Sequence, residues 1–248
     1  LLDYPVHINI NTGLNRLGFS VEEIDDVISI FKKTSAIKLV GIYSHLGASE
    51  DLDEKEFSRS QIDKFKQTSE KIIAAFDHKI LRHLCNTSGI LNYPEAAFDM
   101  VRTGIGLYGY GNSAEQDKML KPVGTLKTII SQIHHIKAEE SVGYNRGFVA
   151  KRDTITATLP IGHADGISRL YGKQKTAVLI AGKEAPIIGN VCMDMLMVDV
   201  TDIDCKEGDE VIIFGKERSA EKFANKAGTI SYELITSISQ RVKRLIID

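Results

Sequence analysis

The chain has 248 residues, a formal net charge of −2 and 43% hydrophobic residues, enough for one large domain or two of ordinary size around a real core. That charge balance argues against nucleic acid or an anionic membrane as partner, and no apolar run approaches the length of a membrane span. Three cysteines, Cys85, Cys192 and Cys205, lack CxxC or Cys/His zinc spacing, which predicts a reducing cytoplasm and no structural metal.

No signal peptide opens the chain, and Leu1-Leu2-Asp3-Tyr4-Pro5 runs straight into a strand, as if from the middle of a protein. Val6 to Asn11 alternates with period two and is closed by Thr12-Gly13, a strand followed by a turn. Ser20-Val21-Glu22-Glu23 reads as a capping box with Ser20 as N-cap, and Val21, Ile24, Val27, Ile28 and Phe31 follow at helical spacing. Lys38 to Leu46 is a buried-type strand, and the charged run from about Glu54 to Phe76 predicts a long helix. A further strand, Leu81 to Asn86, is followed by a short helix, then by Phe98 to Arg102 and Gly104 to Tyr108. This alternation implies parallel βα units, about four of them, half of what a closed (β/α)8 barrel needs.

After Lys121-Pro122 the texture changes. Val123–Ile136, Ile155–Ile161, Ala177–Ile180, Ala185–Val191, Met195–Val200 and Val211–Phe214 are short β-rich runs separated by Gly-containing turns. A terminal helix is predicted over Tyr232 to Ser239, ending in basic Arg241-Val242-Lys243-Arg244, which suits a helix C-terminus. The expected division is a barrel-like part over 1–121 and an all-β domain over 122–248.

Gly143-Tyr144 lies in a turn between two strand-like runs; taken alone, it is most simply a tyrosine at a hairpin end. Its companions change that. Asn86-Thr87-Ser88-Gly89, Val101-Arg102-Thr103-Gly104-Ile105-Gly106-Leu107-Tyr108-Gly109, Leu159-Pro160-Ile161-Gly162-His163-Ala164-Asp165-Gly166 and Gly189-Asn190-Val191-Cys192-Met193-Asp194 stand in one order along the chain. Together they resemble the alanine racemase family, enzymes dependent on pyridoxal 5'-phosphate (PLP), over nearly all 248 residues.

The resemblance implies the C-terminal half of a (β/α)8 barrel followed by a β-rich C-terminal domain, with each active site shared between the subunits of a homodimer. Its substrate is a small amino acid, and the D-alanine made feeds peptidoglycan synthesis. Tyr144 is implied as one of two catalytic bases, and Arg102 as the partner of the PLP pyridine nitrogen. Because a guanidinium only donates, that nitrogen stays unprotonated and the ring is a weaker electron sink, which disfavours side reactions. An ion pair with Asp99 is the plain alternative for Arg102. Thr87, Gly104 and Ile105 match phosphate-binding positions, and hydroxyls with open glycine amides at barrel strand ends make a phosphate cradle on physical grounds as well. His45 matches a histidine beside the cofactor ring, although a lone strand-end histidine is more often structural. Arg16 matches an arginine near the catalytic tyrosine and the substrate carboxylate; free tyrosine, with a pKa of ~10, needs such a cation to serve as a base. Met193 matches a residue whose backbone N–H meets the substrate carboxylate.

Four departures are visible. Asn9 stands where many members carry a carbamylated lysine that holds the arginine, so Arg16 is expected to meet a bound anion instead. His163 and Gln240 each stand where a tyrosine is common, which bears on pocket size and substrate. No Lys-x-x-x-Tyr-Gly segment, the family's Schiff-base lysine, occurs in the sequence. The chain is therefore expected to lack the first βα units and to be inactive by itself. Racemisation of another amino acid such as serine, or a non-catalytic PLP-binding or dimerising fragment, are the alternatives.

Overall fold

The structure, a computed structural model, describes residues 2–247, and the chain divides into two compact units at Lys121/Pro122. In the first unit, β1 (Tyr4–Asn9), β2 (Ile37–Tyr43) and β3 (Leu81–His83) form a parallel sheet in the order β1-β2-β3. Its helices are α1 (Ile24–Lys33), α2 (Lys55–Ile73), α3 (Thr87–Asn92) and α4 (Ala114–Met119). Ile8, Leu39 and Ile42 from the sheet meet Ile24 and Val27 of α1 and Phe65 and Ile72 of α2 in one buried cluster. The apolar spacing of the two long helices places these residues on one face each.

Two expectations are corrected here. α1 begins at Ile24, so Ser20 is not its N-cap; only the reciprocal half of the box forms, with the Glu23 carboxylate accepting the Ser20 N–H at 2.7 Å. Phe98–Arg102 is not a full strand. Phe98 has φ 50°, and the segment touches the sheet through a single His83–Met100 bridge, with Asp99 N–H bonded to Arg82 O and Arg102 N–H to Cys85 O. A left-handed residue at its start and the 3-10 turn Ile105–Tyr108 after it leave no room for a longer ladder.

The second unit is a seven-stranded sheet built from β4 (Leu126–Ile129), β5 (Gln132–Ile136), β8 (Thr154–Leu159), β9 (Ala177–Ile180), β10 (Lys183–Ile188), β11 (Leu196–Asp199) and β12 (Glu210–Phe214), in the order β4-β12-β9-β10-β11-β8-β5. The small hairpin β6 (Ser141–Val142) and β7 (Phe148–Val149) stands apart from it. The single run expected over Val123–Ile136 is two strands at opposite ends of the sheet order. Ile130 bonds to Asp209 O and Ser131 to Thr158 O, so the chain passes from one end to the other within two residues and the sheet curls on itself. Two short helices follow, α5 (Ala220–Asn225), which no sequence signal predicted, and α6 (Ser231–Ser237). The basic tail does cap the end of α6: Arg244 donates to the carbonyls of Ile238 and Ser239 at 2.8 and 2.5 Å.

Candidate active site

Arg102 sits where β2 and β3 end, and its terminal nitrogens are committed to the protein. Nη2 donates to Ser44 O at 2.8 Å and Leu84 O at 3.2 Å; Nη1 donates to His83 O at 3.2 Å and His83 Nδ1 at 2.5 Å. Its Nε–H has no protein acceptor among the described residues. The ion pair with Asp99 does not form, because Asp99 binds the backbone N–H and guanidinium of Arg82 instead. Since arginine cannot accept, His83 must take the bond at Nδ1 and carry its proton on Nε2, which then donates to His7 Nδ1 at 2.8 Å. His83 is buried, and burial first, then the Arg102 and His7 charges, push its pKa down to about 4. Tyr43 stacks on the His83 ring at 5.1 Å and 4°, with the Arg102 guanidinium 5.3 Å from the tyrosine ring. The result is a cation held in one orientation with one donor left to offer.

His45 follows β2, its Nδ1 3.4 Å from Arg102 Nη2. Burial, then Arg16, then Arg102 hold its pKa below the usual histidine range. Arg16 lies on an exposed loop whose start is fixed by Asn11, which accepts the N–H groups of Gly13 and Asn15, and whose ends are pinned by the Asn9–Phe19 and Asn11–Phe19 backbone bonds. Among the described residues no carboxylate pairs with Arg16. The Asn9 amide donates to Leu17 O, and Asn9, Arg16, Ser44 and His45 help line a crevice of about 10 Å³. The unpaired Arg16 charge is expected to draw a single anion there, the exposed loop giving way to admit it. Crystals grown with bromide should show one anomalous peak between Asn9 and Arg16, lost in Arg16→Ala; no peak, with Arg16 turned to an Asp or Glu, would count against it.

Thr87 opens α3, whose N-cap Asn86 accepts the Gly89 N–H at 2.8 Å. Its buried hydroxyl oxygen accepts the N–H groups of Gly104 at 3.1 Å and Gly106 at 3.2 Å, and lies 3.3 Å from the Thr103 hydroxyl. A Cβ on Gly106 would stand 2.9 Å from both Thr87 Cγ2 and Thr103 Oγ1, so this hydroxyl-and-amide cradle requires glycine. The Ile105 side chain is buried, and its carbonyl accepts the Tyr110 N–H at 3.4 Å.

In the second unit, Tyr144 is 73% exposed at the tip of the β6–β7 hairpin, with no hydrogen bond to its phenol among the described residues. Gly143 at φ 78°, Asn145 at 56° and Arg146 at 49° make the sharp turn that turns the ring outward. Asn190 Nδ2 donates to Tyr144 O at 2.9 Å and fixes that turn. Three residues on, Met193 is exposed, its carbonyl accepting from Ala164 at 2.8 Å while Cys192 O accepts from His163 at 3.0 Å. Asp165, buried, binds Arg241 at 3.0 Å and Ser239 N–H through its carbonyl, so the Gln240 segment is tied to the same turn. Arg16, His45, Thr87, Arg102, Gly104 and Ile105 thus cluster in one unit, and Tyr144 and Met193 share a loop system in the other.

Residues 123–246 match the family described as alanine racemase, C-terminal domain, and residues 3–112 match that described as alanine racemase, N-terminal domain. The chain belongs to the alanine racemase family. It is 41% identical to the alanine racemase of Clostridium novyi (strain NT), across 98% of this chain and 65% of that protein. The crystal structure of alanine racemase from D-cycloserine producing Streptomyces lavendulae superposes with a TM-score of 0.90 at 29% identity, over 97% of this chain and 65% of that one. Alanine racemase from Bartonella henselae with covalently bound pyridoxal phosphate superposes at 0.84 with 32% identity, over 98% of this chain and 66% of that one. The chain spans about 65% of the length of the relatives it matches. A barrel-type N-terminal domain and a β-rich C-terminal domain are the parts of an alanine racemase it represents. Among the described residues no helix is long and apolar enough to cross a membrane.

Within this alanine racemase fold, sequence reasoning missed His83 and Asn190. A histidine inside Leu81-Arg82-His83-Leu84 looks like strand filling, and only the folded sheet brings it to Arg102 and His7. Asn190 stands in Gly189-Asn190-Val191-Cys192-Met193-Asp194, a signal that could mark it, but its partner Tyr144 O lies 46 residues away.

Proposed function

We propose that this chain carries the cofactor-binding face and one proton-transfer group of a PLP-dependent alanine racemase that interconverts L- and D-alanine. The observation that carries the reading is Arg102: a guanidinium whose two terminal nitrogens are taken up by the protein, with its Nε–H left over, next to the Thr87–Gly104–Gly106 cradle. These residues fit PLP: the Arg102 Nε–H is the one partner its ring nitrogen needs, and the Thr87 hydroxyl, whose oxygen accepts the Gly104 and Gly106 amides, has its own hydrogen to donate to the phosphate, toward which the Gly104 amide would turn. When bound, PLP would supply the electron sink for the pair left at Cα.

The chain's own residues then do the following. Thr87, with the backbone at Gly104 and Ile105, holds the phosphate, and Arg102 donates to the ring nitrogen and keeps it unprotonated. His45, neutral between two arginines, lies beside the ring. Tyr144 moves the α-proton at its phenol oxygen, with Arg16 as the cation that favours the phenolate and the Met193 N–H on the substrate carboxylate. No Lys-x-x-x-Tyr-Gly segment occurs among the 248 residues, so of the two proton-transfer groups the family uses this chain contributes the one at Tyr144. In this reading the unit over 1–121 is the C-terminal half of a (β/α)8 barrel, and the unit over 122–248 meets the barrel of a second subunit in a cytoplasmic homodimer. The D-alanine serves peptidoglycan synthesis.

A second reading, racemisation of a larger or more polar amino acid such as serine, is favoured by His163 and Gln240. Both lie on segments stitched to the Met193 loop, at positions where the family often has tyrosine. Measuring kcat/KM of the holoenzyme for alanine and serine, with chirality followed by an enantioselective oxidase, tests both. Alanine should be preferred; a serine preference selects the second reading, and no racemisation of either sinks the function.

A further inference from the structure

We propose that Gln61 of α2 is a positioning residue: it ties the loop that carries Arg16 to the segment that carries His45, and so sets where those two side chains stand. The inference deepens the proposed function, because Arg16 and His45 are its ligand-facing residues.

Gln61 is 1% exposed, on the buried face of α2 between Ser58 and Phe65. A leucine there would have similar helix propensity and would bury no amide, so the fold alone does not ask for glutamine. What the amide does is make three bonds to two other segments. Its Oε1 accepts the Gly47 N–H at 2.8 Å; its Nε2 donates to His45 O and to Thr12 Oγ1, each at 3.2 Å. Thr12 begins the loop that leads to Arg16, and His45 and Gly47 follow β2.

The Thr12 hydroxyl, itself buried, lies 2.8 Å from the Ser44 hydroxyl, and Ser44 O accepts Arg102 Nη2. One connected hydrogen-bond network therefore runs from the back of the sheet to Arg102, passing both loops. Since the bonds to His45 and Gly47 are to backbone, they set the path of the chain and with it the origin of the imidazole. Losing the amide would leave a buried N–H and a carbonyl unpaired and let the two loops part.

The test reads His45 in the full 248-residue chain without cofactor, by NMR titration of labelled histidine with the resonance assigned through His45→Gln. The charges acting on this ring are Arg16, Arg102 and Glu50, the first two lowering its pKa. In Gln61→Leu the midpoint is expected to rise toward the ordinary value, as the ring becomes less buried and leaves the two arginines. Thr12→Val, which removes only one of the three bonds, should shift it the same way by less, and it serves if Gln61→Leu does not fold. A lower melting temperature with an unmoved His45 titration would mean Gln61 is merely structural, and no shift in Thr12→Val would overturn the proposal as well. Neither measurement involves turnover, so an inactive holoenzyme would sink the racemase reading and leave this one to its own result.

Discussion

Tyr144→Phe is expected to cut racemisation by the holoenzyme by about 10²–10⁴-fold while PLP binding and folding survive. The phenol is 73% exposed and bonded to no described residue, so removing its oxygen should change stability little. The turn that presents the ring is held by Gly143 and by the Asn190 bond to the Tyr144 carbonyl, neither of which involves the side chain's oxygen. A rate loss would therefore report on the proton itself. Exchange of the α-hydrogen in D₂O, started separately from L- and D-alanine, is the measurement: exchange should fail from one enantiomer and persist from the other. Equal exchange from both would remove Tyr144 from the chemistry.

Elements with long periodic patterns were readable from sequence. The helix predicted over about Glu54–Phe76 is α2, Lys55–Ile73, because its apolar face recurs over several turns and needs no partner to be recognised. The change of texture after Lys121 was readable too, since β-branched runs and glycine turns replace helical spacing. What failed depended on tertiary context. Ile130-Ser131 looks like the middle of one strand, and only the curl of the sheet makes it the passage between two ends. α5 is too short for a period to emerge, although Ser219 does cap it through the Lys222 N–H at 3.1 Å.

The site divides the same way. Arg102, Thr87 and Gly104 stand within short sequence motifs, so the roles proposed for them rest on a local pattern. What makes Arg102 usable does not. Its acceptors come from Ser44, His83 and Leu84, on two strand ends, and the His83 proton that Arg102 forces onto Nε2 is received by His7, 76 residues away. Gln61 is harder still: in sequence it is one polar residue in a helix full of them, and its burial and partners exist only once three segments meet.

Arg102→Glu should change what the holoenzyme makes and the acid range in which the site survives. A carboxylate in place of the guanidinium lets the pyridine nitrogen take a proton, which strengthens the ring as an electron sink and holds the Cα electron pair longer. Racemisation should fall, and pyruvate, the product of transamination, should rise relative to D-alanine; Arg102→Lys, which keeps the charge but not the fork, should lose rate without the rise in pyruvate. An unchanged pyruvate to D-alanine ratio in Arg102→Glu would mean that Arg102 does not touch the cofactor. The same variant has a second readout at His83. Its pKa of about 4 lies below the ordinary 6.5, so the unfolded chain takes up a proton between those values that the folded chain refuses. Stability from this group is complete above about 6.5, declines as pH falls through the window, and declines no further once His83 is protonated in both states. Removing the Arg102 charge takes away one cause of the depression, so the His83 midpoint should move up and the loss on acidification should shrink. A His83 titration that stays at about 4 in Arg102→Glu would show that burial and His7 set it and that the Arg102 charge does not.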